Sequence, residues 1–167
     1  MALRNLHTLY LVRHAIAAER GDAWPDDDKR PLTSKGISRM REVVRGLRDL
    51  GVAIDLVLTS PLVRAKQTAQ ILAQGLRPTP PVALVAALSP GVPPAQIMES
   101  LATFRKMHGI ALVGHEPGIG ELAASLIGAK STLPFRKGGV CRIDFASVPA
   151  AGAGQLIWMA TPKMLRR

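Results

Sequence analysis

At 167 residues, 47% hydrophobic and 20% charged, the chain has the make-up of an ordinary globular protein with a full core, which excludes a disordered tail. Its net charge of +10 favours partners that carry negative charge, such as phosphate groups, nucleic acid or acidic protein faces, without choosing among them. The single Cys141 excludes an internal disulfide, and four histidines leave no thiolate-rich set for zinc, so neither a metal nor a cofactor is expected.

The N-terminal run MALRNLHTLYLVRH lacks the hydrophobic core of a signal peptide, and no apolar run approaches a bilayer span. A cytoplasmic protein with no membrane contact is therefore expected. Short apolar runs alternate with segments of helical period and no repeat appears, the pattern of one α/β domain over residues 1–167. Residues 6–12 (LHTLYLV) read as a strand that ends in Arg13 and His14. Five of the twelve acids (Glu19, Asp22, Asp26, Asp27, Asp28) then crowd one segment, read as a solvated loop, with the alternative that its acids at 22–28 reach the mouth of a ligand pocket.

Ile37, Met40, Val43, Val44, Leu47 and Leu50 mark one face of a helix that starts at Thr33 as N-cap and stops at Gly51. Residues 54–59 (IDLVLT) form a second strand. A helix follows with Ser60 as cap, Pro61 in its first turn and Arg64 close behind. A third strand covers 82–86, and a helix after Pro93 and Pro94 turns Ile97, Leu101 and Phe104 to one side. A fourth strand, 110–113, leads to His115 and to a helix opening at Pro117 with Ile119, Leu122, Ala123 and Leu126 inward. Two last strands, 138–146 and 155–160, are joined by SVPAAGAG as a hairpin loop.

The first four strands are almost continuously apolar, as strands buried on both faces should be. The expected fold is an α/β three-layer sandwich: a mostly parallel central sheet flanked by helices, with a C-terminal antiparallel hairpin. Cys141 reads as a small apolar strand residue, and His7 and His108 as structural or surface residues. With six aromatics, mostly inside apolar segments, the stacking platform of a nucleic-acid binder is missing and no nucleic-acid partner is expected.

Open α/β sheets bind ligands beyond the carboxyl ends of their strands, where helix N-termini also point. Arg13, His14, Arg64 and His115 all fall on that edge. Singly, each reads as a solvated boundary residue. Together, two arginines and two histidines with no carboxylate among these positions call for an anion, and the planar forks of arginine suit a phosphate.

The runs LVRHA, TSPLVRAKQTA and LVGHEPGI, in that order, resemble the histidine phosphatase superfamily, the phosphoglycerate-mutase-like group. Within it, the short length, RPLTSKG at 30–36 and the ending WMATPKML are similar to the SixA-type phosphohistidine phosphatases. The resemblance implies that His14 is a nucleophile that becomes phosphorylated and that Arg13, Arg64 and His115 hold the phosphoryl oxygens. It also implies a phosphate-bearing substrate, a phosphohistidine protein such as a histidine phosphotransfer domain.

Two neighbouring guanidinium charges should keep His14 neutral at pH 7, and a backbone carbonyl should hold its second ring nitrogen. Relatives that cleave phosphate esters protonate the leaving alkoxide with a glutamate after the third strand, where Ala87 stands here. An imidazole leaves well once its other nitrogen is protonated, so this departure favours a phosphohistidine substrate. Glu116 is the nearest remaining carboxyl, a candidate proton donor or water-orienting group, or else a dipole partner of the following helix. Ala15 replaces a glycine common in the family, which fits a site without positive φ. A small-molecule phosphomonoesterase and a catalytically silent phosphate-binding module stay open as alternatives.

Overall fold

The computed structural model describes residues 6–166. Its centre is one six-stranded sheet in the order β3-β2-β4-β1-β5-β6. The strands are β1 (His7–Arg13), β2 (Leu56–Thr59), β3 (Val82–Leu84), β4 (Gly109–Gly114), β5 (Val140–Phe145) and β6 (Gln155–Ala160). β1 through β4 pair in parallel, whereas β5 runs antiparallel to β1 on one side and to β6 on the other.

Strand side chains alternate between faces, and both faces are covered. Tyr10, Val12, Val57, Ala111 and Val113 meet α1 (Ser34–Asp49) and α2 (Val63–Gly75) through Met40, Val43, Leu47, Ala69 and Leu72. Leu9, Leu11, Leu58, Ile110, Leu112, Cys141 and Ile143 meet α3 (Pro94–Leu101) and α4 (Gly118–Ile127) through Ile97, Ile119, Leu122 and Leu126. That double coverage is why β1 and β4 read as unbroken apolar runs. Cys141 is buried there, and its thiol pKa is pushed up to about 12 by burial.

Thr33 caps α1 as expected, its Oγ1 accepting the Gly36 N–H at 3.0 Å, and Gly51 at φ +69° lets the chain turn away. α2 starts later than expected: its N-cap is Leu62, and Ser60 and Pro61 lie before it. The Ser60 hydroxyl instead accepts the Leu62 N–H at 3.3 Å, forming a local turn that leaves Ser60 beside the strand ends. β3 also departs from expectation. It is the outer edge of the sheet and only three residues long, with Val82 and Leu84 39% and 60% exposed.

A short fifth helix, α5 (Pro162–Leu165), was not foreseen by periodicity, which cannot register four residues. Leu165 is buried against α1, and Gly46 of α1 has no room for a Cβ beneath the Leu165 carbonyl oxygen. Gly46→Ala is therefore expected to destabilise the protein by about 1–3 kcal/mol through overpacking, seen as a lower midpoint in urea unfolding, despite alanine's better helix propensity. Among the described residues, no helix is long and apolar enough to cross a membrane.

Candidate active site

β1, β4 and β2 lie side by side in register, with Arg13 opposite Gly114 and Thr59 opposite Val113. The residue following each strand, His14, His115 and Ser60, must then emerge at one place on the carboxyl edge. The ladder continues into them: the His14 N–H donates to the Gly114 carbonyl at 3.0 Å, and the Ser60 N–H to that of Val113 at 3.1 Å. The two imidazoles stand 5.2 Å apart, tilted by 54°.

His14 Nδ1 lies 2.7 Å from the carbonyl oxygen of Ala15. A carbonyl can only accept, so Nδ1 carries the proton and Nε2 is left with its lone pair. The Ala15 N–H donates to Thr68 Oγ1 at 3.0 Å, and that hydroxyl donates to the Arg64 carbonyl at 2.8 Å. Thr68, one turn beyond Arg64, thus ties the end of β1 to α2. His115 Nε2 is 2.8 Å from Ser60 Oγ, while its Nδ1 is buried without a partner.

Arg13 donates through Nη1 to the Phe135 carbonyl at 2.7 Å, and Arg64 through Nη1 and Nη2 to the carbonyl and Oδ2 of Asp27 at 2.8 and 3.0 Å. The Nε atoms of both arginines are buried and unpartnered. Buried polar groups are rarely left unpaired, yet these two nitrogens, His115 Nδ1 and Glu116 Oε1 are all shielded from solvent without a partner. Arg13, His14, Arg64, His115 and Glu116 all line one cavity of 360 Å³.

Burial lowers the His14 pKa to about 4, with Arg64 and Arg13 adding to the effect and the Ala15 hydrogen bond opposing it. The neutral state expected for His14 is thus present, but desolvation is the larger cause and the guanidinium charges the smaller. Burial, the facing His14 and Arg64 take His115 lower still, to about 3, so at pH 7 it is a neutral imidazole rather than a cation. Glu116 is shifted the other way. Its Oε1 is buried with no partner, and burial raises its pKa against the pull of Arg13.

A model of the histidine phosphatase superfamily, branch 1, matches residues 9–89, a span that includes Arg13, His14 and Arg64. An uncharacterized protein of Picosynechococcus is 36% identical over 167 residues, spanning 94% of this chain and 98% of its own. This chain belongs to the histidine phosphatase superfamily. The phosphohistidine phosphatase SixA of Escherichia coli is 26% identical over 162 residues, 95% of this chain and 96% of that one. The solved structure of the protein histidine phosphatase SixA complexed with tungstate has the same fold, with a TM-score of 0.84 at 24% identity over 95% of this chain and 99% of that one.

In this chain the acidic segment is not simply a solvated loop. A single turn of 3₁₀ helix at Asp27–Lys29 brings the Asp27 carboxylate to Arg64, so a carboxylate does meet the arginine-histidine set, contrary to the reading of that set as wholly unpaired. Arg30, 8% exposed and lining the cavity, also escaped notice, although it opens the RPLTSKG run. A buried arginine cannot be told from an exposed one by spacing alone; the Pro31 that follows it, fixing an extended entry to α1, was the available signal.

Arg20 and Lys137 line the same cavity and add to its positive wall. Ala87 is half-buried against the apolar cluster under α3 and α4, and Pro90 lines the cavity in its neighbourhood. No described residue other than glycine has positive φ, so Ala15 fits its site without strain. Among the described residues no three His, Cys, Asp or Glu side chains are grouped as metal ligands would be. His7 and His108 stack on each other 5.0 Å apart, away from this cavity.

Proposed function

We propose that this chain is a phosphohistidine phosphatase working through a covalent intermediate on His14. The observation that carries the reading is the gathering of Arg13, Arg64 and His115 on the cavity that also holds His14, whose Nε2 is left free by the Nδ1 contact to Ala15. Three donors around one nucleophilic nitrogen suit the equatorial oxygens of a transferring phosphoryl group.

In the first step the Nε2 lone pair of His14 forms a bond to phosphorus as the bond to the leaving nitrogen breaks, and that nitrogen keeps the electron pair while a proton reaches the departing imidazole. The proton on Nδ1 of His14 stays in place, held by the Ala15 carbonyl, and the positive charge that develops on the ring is balanced by the phosphoryl oxygens. In the second step water attacks phosphorus in line and His14 leaves with its electron pair restored, giving inorganic phosphate. The Ser60 hydroxyl, which already accepts the Leu62 N–H, donates to His115 Nε2 and leaves the His115 proton on Nδ1, where it meets a phosphoryl oxygen.

Glu116, with a pKa raised by burial, is the carboxyl of the cavity best suited to hold a proton for the leaving group. The guanidinium groups of Arg13 and Arg64 supply the positive charge that a metal supplies elsewhere, so the reaction is expected to be unaffected by a chelator. Two observations support the substrate class: position 87, an alanine here, carries no carboxylate, and a phosphohistidine phosphatase is among the relatives. Turnover of a phosphohistidine-bearing protein, phosphoramidate and sugar phosphates at pH 7 with and without EDTA tests the reading. We expect the two phosphoramidates to be preferred at least tenfold in kcat/KM. A preference for sugar esters would overturn the leaving-group argument, and phosphate binding without any hydrolysis would reduce the chain to a silent binding module.

A further inference from the structure

We infer that Asp27 is a positioning residue for Arg64, setting which edge of its guanidinium faces the phosphoryl group. The inference rests on the assignment of Arg64 to phosphoryl binding. Both terminal nitrogens of Arg64 are taken by residue 27: Nη1 by its carbonyl at 2.8 Å and Nη2 by Oδ2 at 3.0 Å. The guanidinium is planar, so fixing two of its corners fixes the plane in which the whole group stands at the cavity, while each terminal nitrogen keeps a second N–H to donate.

Exposed ion pairs contribute little to stability, which is the plain reading of any surface aspartate. This pair is not of that kind, because the arginine is 2% exposed and, among the described residues, its guanidinium bonds only to residue 27. Asp27 is itself held. It starts the 3₁₀ turn capped by Asp26, whose carboxylate accepts the Asp28 N–H at 3.1 Å, and its Oδ1 faces Arg30 Nε at 3.0 Å and Arg20 Nε at 3.1 Å. Arg30 is anchored in turn on the Ala18 carbonyl at 2.7 Å.

One carboxylate thus separates three guanidinium groups that would otherwise repel one another at the cavity wall. Asp27→Asn keeps the backbone carbonyl contact and the side-chain shape, and removes the charge and one of the two accepting oxygens that hold the three arginines in place. Displacement of a transition-state donor by about an ångström can cost roughly a hundredfold in rate. Phosphate affinity should not fall, because the wall becomes one charge more positive.

The test compares wild type, Asp27→Asn and the same charge change at exposed Asp22, Asp22→Asn, in kcat and KM on phosphoramidate, inhibition by inorganic phosphate, and thermal midpoint. We expect kcat to drop about ten- to hundredfold in Asp27→Asn with phosphate inhibition as tight as in wild type or tighter, and Asp22→Asn to match wild type. A kcat within twofold of wild type overturns the inference, as does a parallel loss of kcat, phosphate binding and thermal midpoint, which would make Asp27 a support of the fold. The Nε–H resonance of Arg64 provides a reading that needs no turnover. In wild type it should shift on phosphate saturation and in Asp27→Asn the shift should shrink; an equal shift in both overturns the inference even if the phosphatase reading itself fails.

Discussion

Replacing His14 with alanine is expected to lower kcat on phosphoramidate by about 10⁴-fold or more and to abolish the acid-labile phosphoenzyme, with the fold retained. The reasoning is geometric. Nε2 of His14 carries a free lone pair in the cavity between two arginines, because the Ala15 carbonyl holds the ring proton on Nδ1. Arg13, Arg64 and His115 remain in the variant, so inorganic phosphate should still bind. Rapid quench with a ³²P-labelled donor checks both points, and residual turnover near wild type would dispose of the covalent mechanism.

Stability should fall steeply as pH drops below about 6.5 in the absence of phosphate. His14 and His115 are buried as neutral rings, with pKa values near 4 and 3 in the folded protein. In the unfolded chain both return to about 6.5. Between pH 6.5 and about 4 the unfolded chain therefore binds about two protons that the native state refuses, and its free energy gains on the native state by about 3 kcal/mol per pH unit. At pH 5 the loss from these two groups comes to about 4 kcal/mol, a large share of a typical domain's stability.

The sign is the reverse of a paired histidine, whose raised pKa would make acid stabilising. Urea unfolding at pH 7 and pH 5 measures the difference, and His14→Ala should roughly halve it by deleting one of the two titrating rings. Saturating phosphate should reduce it as well, because a bound anion favours the charged imidazoles. An equal loss in wild type and His14→Ala would mean that the buried rings are not its source.

Most of the fold could be read from periodicity because both faces of the sheet are covered: β1, β4, α1 and α4 announce themselves by apolar runs or a 3.6-residue repeat. What escaped lies where pattern carries no information. β3 is apolar yet exposed at the edge, α5 is too short for a period, and Ser60 looks like a helix cap although it serves a turn and a histidine.

The same division holds for the pocket. Arg13, His14, Arg64 and His115 could be located because strand ends and a helix start are visible in the sequence. Asp27 and Arg30 could not, because their roles depend on the path of the chain between β1 and α1, and a loop's path is set by its contacts. The order of causes behind the His14 pKa was likewise hidden, since charge can be counted in a sequence and burial cannot.

The in-register pairing of Arg13 with Gly114 has a consequence for how such a site can change over evolutionary time. His14 and His115 are spaced by the hydrogen-bond ladder of the two central strands, so their separation can be altered only by disturbing the middle of the molecule. Arg30 and Asp27 sit on a surface segment that tolerates substitution and changes of length. The spacing of the two histidines is thus tied to the centre of the sheet, whereas the placing of Arg30 and Asp27 depends only on the path of one connection.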